Sequence, residues 1–509
     1  MNKKIIALIL ACLCVIVPFM TGCANNNGNK GNGGGGGDIG DPNLTEKNWK
    51  GAEFLVLTGE DRTDAQAFNI VDLVAYEDDD MSDPITKAVY ERNERILDAY
   101  NATIARQIEK DYAAMANDTL AYGDSYGAYV VKVQHALNLA LAQNLLDMNS
   151  EVDYINLRES WWDVTALESM AVKNKSYFAL GDINTVDDDA TWCVLFNKKL
   201  HEKYQLPNFY DAVKAGDWTI EKLKLWASNS IIDENGDGTL AKHDPNSKYQ
   251  YGLYFQSLCA EVFLSSAGIT PFTKEKNGSL KSNLNSAAMQ EAITLISDNV
   301  MMDDTVHQSW ALNIDNVSAI NTGDKWMEIA RGGFKANKAL FFMCHCGSIN
   351  LLRDMESDFG ILPIPKVTDN QAEYGNTIQY GTANCFVIPY NTPDSSFSGF
   401  MLEAMGYLSS REAFADNGGN GSLKYAYYDT TLQRKGARDD DSWDMLDLVF
   451  GNRIFDISLA LFTGDKSANS INNLIISSTT KGNAWATAMA GNAEAIERKV
   501  NESIAYLMK

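Results

Sequence analysis

Beyond residue 45, short apolar runs alternate with stretches in which apolar residues recur every third or fourth position. These are the signatures of strands and amphipathic helices. Residues 54–57 form a β run closed by Thr58-Gly59. Asp83 can cap a helix with Pro84 in its first turn, and Ile85, Val89, Ile96 and Tyr100 then recur at helical spacing to give it a buried face. Residues 128–133 and 191–196 read as further strands, and Gly216-Asp217-Trp218-Thr219 introduces a helix running through Trp226. Residues 339–343, 360–364 and 384–388 are strand-like, and Ile496, Val500, Ile504 and Leu507 line one face of a terminal helix. Strands separated by helices predict α/β architecture with largely parallel sheets. No internal repeat interrupts the pattern.

The first residues follow another rule. Lys3 and Lys4 precede an apolar run over residues 5–19, followed by Met20-Thr21-Gly22-Cys23. A short basic segment, an apolar stretch too short to span a bilayer comfortably and a small residue before the cut describe a secretory signal. With cysteine after the cut, the segment resembles the bacterial lipobox, with Met20 where Leu is usual. That resemblance implies a signal peptide over residues 1–22 and acylation of Cys23. Residues 24–42 are almost all Asn, Gly, Lys and Asp, with five consecutive glycines from Gly33 to Gly37. Such a stretch cannot repay its ordering entropy and predicts a flexible tether, taken here as residues 23–45, reaching on the order of 25 Å.

Composition narrows the partners. Of 509 residues, 45% are hydrophobic and 22% charged, and about 465 folded residues are more than one core usually serves, so two lobes are expected. The formal charge is −24, and loss of Lys3 and Lys4 with the signal makes it −26. A body this acidic is repelled by phosphate backbones, which excludes nucleic acid as a partner of choice. No later segment holds the ~20 apolar residues a membrane span needs. Cys193, Cys259, Cys344, Cys346 and Cys385 are odd in number and irregularly spaced. They read as buried small hydrophobes, not a disulfide framework.

Several segments occur in a recognisable order: Ser160-Trp161-Trp162-Asp163, Ala179-Leu180-Gly181-Asp182, Leu195-Phe196-Asn197-Lys198-Lys199-Leu200 and Gly216-Asp217-Trp218-Thr219. Asp233-Glu234-Asn235-Gly236-Asp237-Gly238, Tyr251-Gly252-Leu253 and the run from Asp358-Phe359-Gly360 to Ile364-Pro365-Lys366 follow. The series, from about Asn48 onward, resembles the extracellular solute-binding lipoproteins of ABC importers, in the maltodextrin-type, carbohydrate-binding group. Ser160 departs from the Pro or Lys often found before the double Trp, and residues 383–388 are only loosely similar. The resemblance implies a two-lobed periplasmic-binding-protein-like fold of type II, joined by crossover strands and closing on ligand by a hinge. Mapped onto this chain, lobe 1 takes residues 46–186 and 367–412, and lobe 2 takes 187–366 and 413–509.

Candidate ligand residues follow from sugar chemistry. Sugar C–H faces stack on aromatic rings while hydroxyls seek Asp, Asn and Gln. Trp161, Trp162, Trp192 and Tyr380 sit in or beside expected strand ends and crossings, where open α/β sheets bind ligands. Asp182, in a tight loop after Gly181, is placed to receive hydroxyls, and Trp443 stands beside Asp439-Asp440-Asp441. The competing reading is that these aromatic rings fill the core.

The acidic loop at 233–244 is a separate candidate, for structural calcium. Asp233, Asn235 and Asp237 occupy positions one, three and five of a cation-binding loop, with Gly238 at six. Thr239 would contribute its carbonyl, and Asp244 stands at twelve, where Glu is usual. The alternative is a polar turn without metal.

Two other motifs are decoys. Gly123-Asp124-Ser125-Tyr126-Gly127 matches a hydrolase nucleophile pattern but precedes a strand, where a nucleophile elbow would precede a helix. In Cys344-His345-Cys346 the histidine points opposite to both cysteines on a strand, which defeats zinc chelation.

The expected function is a lipid-tethered receptor on the outer face of the cell membrane. It would pass a small-molecule solute, expected to be a carbohydrate or oligosaccharide, to an ABC permease without catalysing a reaction. An envelope glycoside hydrolase, needing two opposed carboxylates, and a glycan-binding surface lipoprotein remain open alternatives.

Two outcomes test these assignments. Cys23→Ser should release the folded body from membranes, and radiolabelled fatty acid should label the wild-type chain only; an unlabelled wild type removes the anchor. Chelator-treated protein titrated with calcium should show saturable heat and a raised Tm through mass action. No saturation at millimolar calcium leaves only a turn at 233–244.

Overall fold

The computed structural model describes residues 39–59, 72–109, 126–232, 250–255, 258–301, 330–463, 465, 467–480 and 484–508. Cys23, most of the glycine-rich segment, Gly123 to Ser125 and the whole 233–244 loop with its candidate ligands lie outside the described residues.

Two open sheets organise the chain. In the first, β1 (Ala52–Gly59) lies between β2 (Ala102–Glu109) and β3 (Ala128–Lys132), parallel to both. The late strand β11 (Asn384–Val387) closes the other edge antiparallel to β3, with Phe386 opposite Val130. The second sheet has the order β5 (Tyr251–Tyr254), β8 (Ala339–His345), β4 (Trp192–Asn197), β9 (Phe359–Leu362). There β5 is parallel to β8, but β4 runs antiparallel to both β8 and β9. The sheets are therefore mixed, not largely parallel. Within these two sheets every antiparallel pairing involves β4 or β11, neither of which is reached from a neighbouring strand of its own sheet, so neither owes its direction to the helical crossover that makes neighbours parallel. Two ribbons complete the strands: the hairpin β6 (Phe272–Lys274) and β7 (Leu280–Ser282), and β10 (Asn376–Thr377) paired parallel with β12 (Arg453–Ile454).

Local chemistry sets the helices as the pattern predicts. The Asp83 carboxylate accepts from Thr86 N at 2.8 Å to start helix α1 (Pro84–Tyr100), and Asn101 ends it with φ 50°. Ile85, Val89, Ile96 and Tyr100 are buried along one face. The same face carries Arg92, whose guanidinium donates to the carbonyls of Asp72 and Leu73 at 2.8 and 3.0 Å. It also donates to the Ile183 carbonyl and Ser409 Oγ, both at 3.2 Å. One buried cation thus satisfies groups from three distant segments, which a burial this complete requires. The terminal helix Trp485–Leu507 buries Ile496, Val500, Ile504 and Leu507, and Trp485 Nε1 donates to the Leu284 carbonyl at 2.7 Å. All five described cysteines are buried as free thiols. Cys344 and Cys346 lie in one core cluster, while His345 packs from the other face of β8 against Trp192, as strand alternation requires.

The packed body begins before residue 46. Leu44 is buried, and the Asn43 amide donates to Glu403 at 2.8 Å and to Glu159 at 3.1 Å. An Asn-rich tether offers no apolar surface, but its last amide satisfies a carboxylate that is itself fully buried.

Candidate functional site

A cavity of about 620 Å³ opens between two walls. One wall comes from Ser160 to Thr165 and the Gly181-Asp182 turn. It belongs with the first sheet, because Ala179 bridges Phe386 of β11. The other is built by Lys424, Tyr428, Asp447, Phe450 and Arg453. It belongs with the second sheet through helix Asp440–Gly451, which packs on β9 and whose Ser442 Oγ accepts from Ile361 N at 3.3 Å. Ser410, Arg411 and Glu412 close one side.

Each polar side chain has a local reason for its position. Asp163 caps helix Val164–Met170, one carboxylate oxygen accepting from Ala166 N at 2.8 Å while the other faces Arg453. Trp162 and Gly181 form a backbone bridge so close that a side chain at 181 would collide with the Trp161 carbonyl. Glycine is required there, and the turn it permits delivers Asp182 to the cavity. Arg453 is fixed by the β10–β12 ribbon, opposite Asn376.

These groups form one network. Lys424 Nζ lies 3.3 Å from Asp182 and 2.9 Å from Asp188. The Arg453 guanidinium pairs with Asp163, with Asp187 at 3.2 Å and with Asp188 at 2.8 Å. Tyr427 donates to Asp189 at 2.7 Å. Burial and the neighbouring Asp188 push the Asp187 carboxyl well above the usual range, favouring its neutral form. Burial also works against Asp188, but Lys424 and Arg453 outweigh it and hold that group low. Burial raises Asp189 to about 8 despite the Tyr427 hydrogen bond. Burial raises Asp182 too, opposed chiefly by Lys424. Asp182 keeps 18% of its side-chain surface open, so it can still accept from a ligand.

The structure brings two of the expected site residues, Trp162 and Asp182, to this cavity. The other aromatics lie elsewhere. Trp161 and Trp162 are 1% and 2% exposed, and their rings press on Gly406 of helix Ser395–Ser409. A β-carbon at Gly406 would come within 2.9 Å of both indoles. Trp162 Nε1 donates to the buried Glu403 at 3.1 Å. Trp192 is buried, its ring centroid 4.2 Å from that of His345. Tyr380 is buried, and its hydroxyl accepts from Asp456 N at 2.6 Å. Trp443 is 36% exposed and donates to the Gln433 carbonyl at 3.1 Å. Trp161, Trp192 and Tyr380 do not line the cavity, and Trp162 does so with only 2% of its surface exposed. The polar ends of Trp162 and Tyr380 are hydrogen-bonded, while the N–H groups of Trp161 and Trp192 are buried without a partner among the described residues. Lys424, Arg453, Glu412 and Asp447 line the cavity without any motif announcing them, and Asp163, though part of the Ser160-Trp161-Trp162-Asp163 motif, is not among the expected ligand residues. The run Asp187-Asp188-Asp189 is a visible signal, but such runs are ordinarily solvated surface.

Two mixed sheets with a polar cleft between their walls define the two-lobed type II fold of the solute-binding proteins of ABC importers. Solved structures with this fold include an ABC substrate-binding protein of Listeria monocytogenes in complex with cycloalternan, at 12% identity and TM-score 0.54, covering 88% of this chain and 98% of that one. Maltose-bound MalE3 of T. maritima is similar at 13% identity and TM-score 0.52, covering 88% and 100%. The GacH receptor of Streptomyces glaucescens, solved unliganded and with acarbose, matches at 12% identity and TM-score 0.53, covering 89% and 99%. No family model matches the chain, and no curated protein matches it in sequence.

The buried indoles set an expectation about stability. Trp161→Ala and Trp162→Ala should each cost about 3–5 kcal/mol, as core Trp truncations do, read as a lowered denaturant midpoint. A variant that keeps the wild-type midpoint but loses ligand affinity would return that ring to the cleft.

Proposed function

We propose that the chain is an extracellular solute receptor that binds a saccharide between its lobes and presents it to an ABC permease. The observation that carries this reading is the cavity of about 620 Å³ whose two walls, each belonging to a different sheet, both carry hydrogen-bonding side chains. A ligand bridging Asp182 on one wall and Lys424 or Asp447 on the other gains both sets of contacts only when the walls are together, so binding favours closure. The fold neighbours include proteins solved with cycloalternan, maltose and acarbose, which supports a saccharide for this chain. With buried indoles beneath the wall and charged groups at its surface, selectivity rests on hydroxyl hydrogen bonds more than on ring stacking.

The reading includes acylation of Cys23 and a flexible leash holding the receptor beside the permease on the outer face of the membrane, with a structural calcium on the 233–244 loop. Among the described residues no helix is long and apolar enough to cross a membrane. The chain's own chemistry in this reading is binding, with no catalytic step assigned to the cleft carboxylates.

A thermal-shift panel of mono- to oligosaccharides, followed by calorimetry on the best hit, is the test. The expected result is a raised Tm with one sugar class and saturable binding that Asp182→Asn and Glu412→Gln each weaken about tenfold, or about 1.4 kcal/mol. A panel without a single shift, or release of hydrolysis products from any member, would overturn the receptor reading.

A further inference from the structure

A second cavity, of about 290 Å³, is lined by Val164, Leu167 and Glu168 of helix Val164–Met170. Val172 and Lys175 exchange backbone hydrogen bonds at 3.2 and 3.0 Å, so Lys173 and Asn174, with φ 50° and 67°, form the two-residue turn between them. The β6–β7 hairpin meets this turn: a β-carbon at Gly278 would lie 2.9 Å from Lys173 N. Lys274 Nζ reaches across to donate to the Glu168 carbonyl. Arg158 approaches from a third segment, donating to Asn174 Oδ1 at 3.4 Å.

Four cations, Arg158, Lys173, Lys274 and Lys276, thus line one small pocket. None of them forms an ion pair with a described carboxylate, in a chain where 67 acidic residues outnumber 43 basic ones. Elsewhere on the surface lysines find acids readily, as Lys214 does with Asp441 and Asp444 and Lys222 with Asp217. The acids nearest this pocket do not neutralise it. Glu168 lines it and its charge favours the Lys274 ammonium, but the hydrogen bond that Lys274 makes there is to the Glu168 backbone carbonyl, and the other three cations have no such partner among the described residues. Asp147 is buried and spends its oxygens on Asn149 N, Ser176 N and Ser150 Oγ. Four cations gathered around one carboxylate still repel one another, and a multidentate anion converts that repulsion into charge-assisted hydrogen bonds.

We propose that this pocket binds a small oxyanion of phosphate or sulfate type, held by Lys173 from the turn, Lys274 and Lys276 from the hairpin and Arg158 from the third wall. Its volume admits more than a bare ion, so the oxyanion can be free or carried as an ester of a small alcohol. Because its walls come from chain segments about a hundred residues apart, the bound anion pins the hairpin to the turn. The site is independent of the saccharide reading of the cleft.

The experiment is a calorimetric titration of the full chain with inorganic phosphate, sulfate and glycerol phosphate, at ionic strength matched with potassium chloride. Saturable one-site binding is expected, weakened about tenfold by Lys173→Ala and by Lys276→Ala. Both side chains are exposed, so melting temperatures should hold. Lys222→Ala, which removes a paired surface lysine, should leave the affinity unchanged. Tighter binding of glycerol phosphate than of phosphate assigns the site to a carried ester, and equal binding assigns it to the free ion. Heat that never saturates under matched ionic strength, or affinity unmoved in both variants, overturns the proposal.

Discussion

The cleft depends on two cations set among four carboxylates. Arg453 and Lys424 stand against Asp163, Asp182, Asp187 and Asp188, with most of the six side chains withdrawn from water. Taking such charges out of solvent costs several kcal/mol per ion, and only close pairing with good geometry offsets it. That requirement ties the Asp163 cap, the Gly181-Asp182 turn and the 187–189 segment to the late part of the chain that carries Lys424 and Arg453. The pairs contribute modest net stability, but losing either cation would leave buried carboxylates uncompensated and release the two walls from each other.

Beneath the first wall a second polar arrangement supports the first. Glu403 lies fully buried in helix Ser395–Ser409 and accepts from Trp162 Nε1, Asn156 N and Asn43 Nδ2. Burial, with Asp41 nearby, raises it to about 8. The tryptophan pair is therefore packed beneath the wall: its rings fill space over Gly406, and the Trp162 N–H is consumed by an internal carboxyl group, while the Trp161 N–H is buried without a hydrogen-bond partner among the described residues.

Helix Val164–Met170 contributes to both the cleft and the cation-lined pocket. Its N-terminal cap, Asp163, lines the cleft, and the Glu168 carbonyl towards its other end accepts from Lys274 of the hairpin.

What the sequence determined by itself is local. Asp83 before Pro84 starts a helix because a carboxylate satisfies the free N–H of the first turn, and apolar residues at helical spacing bury one face wherever that helix docks. The ordered motifs beyond residue 48 pointed to a two-lobed type II fold, and the solved structures share it. Strand direction was not legible, because periodicity says which face is buried and nothing about which sheet the chain has just left. Nor was the cleft. Trp161 and Trp162 have the composition of a sugar platform, yet only helix Ser395–Ser409, some 240 residues on, decides that both rings are covered. Asp187-Asp188-Asp189 reads as solvated surface until Lys424 and Arg453 arrive from the far end of the chain to make its burial tolerable. Short-range hydrogen bonding and periodicity act over a few residues and are written in order along the chain. Charge pairing and packing act over a few ångströms between residues hundreds apart, so tertiary structure alone decided the site.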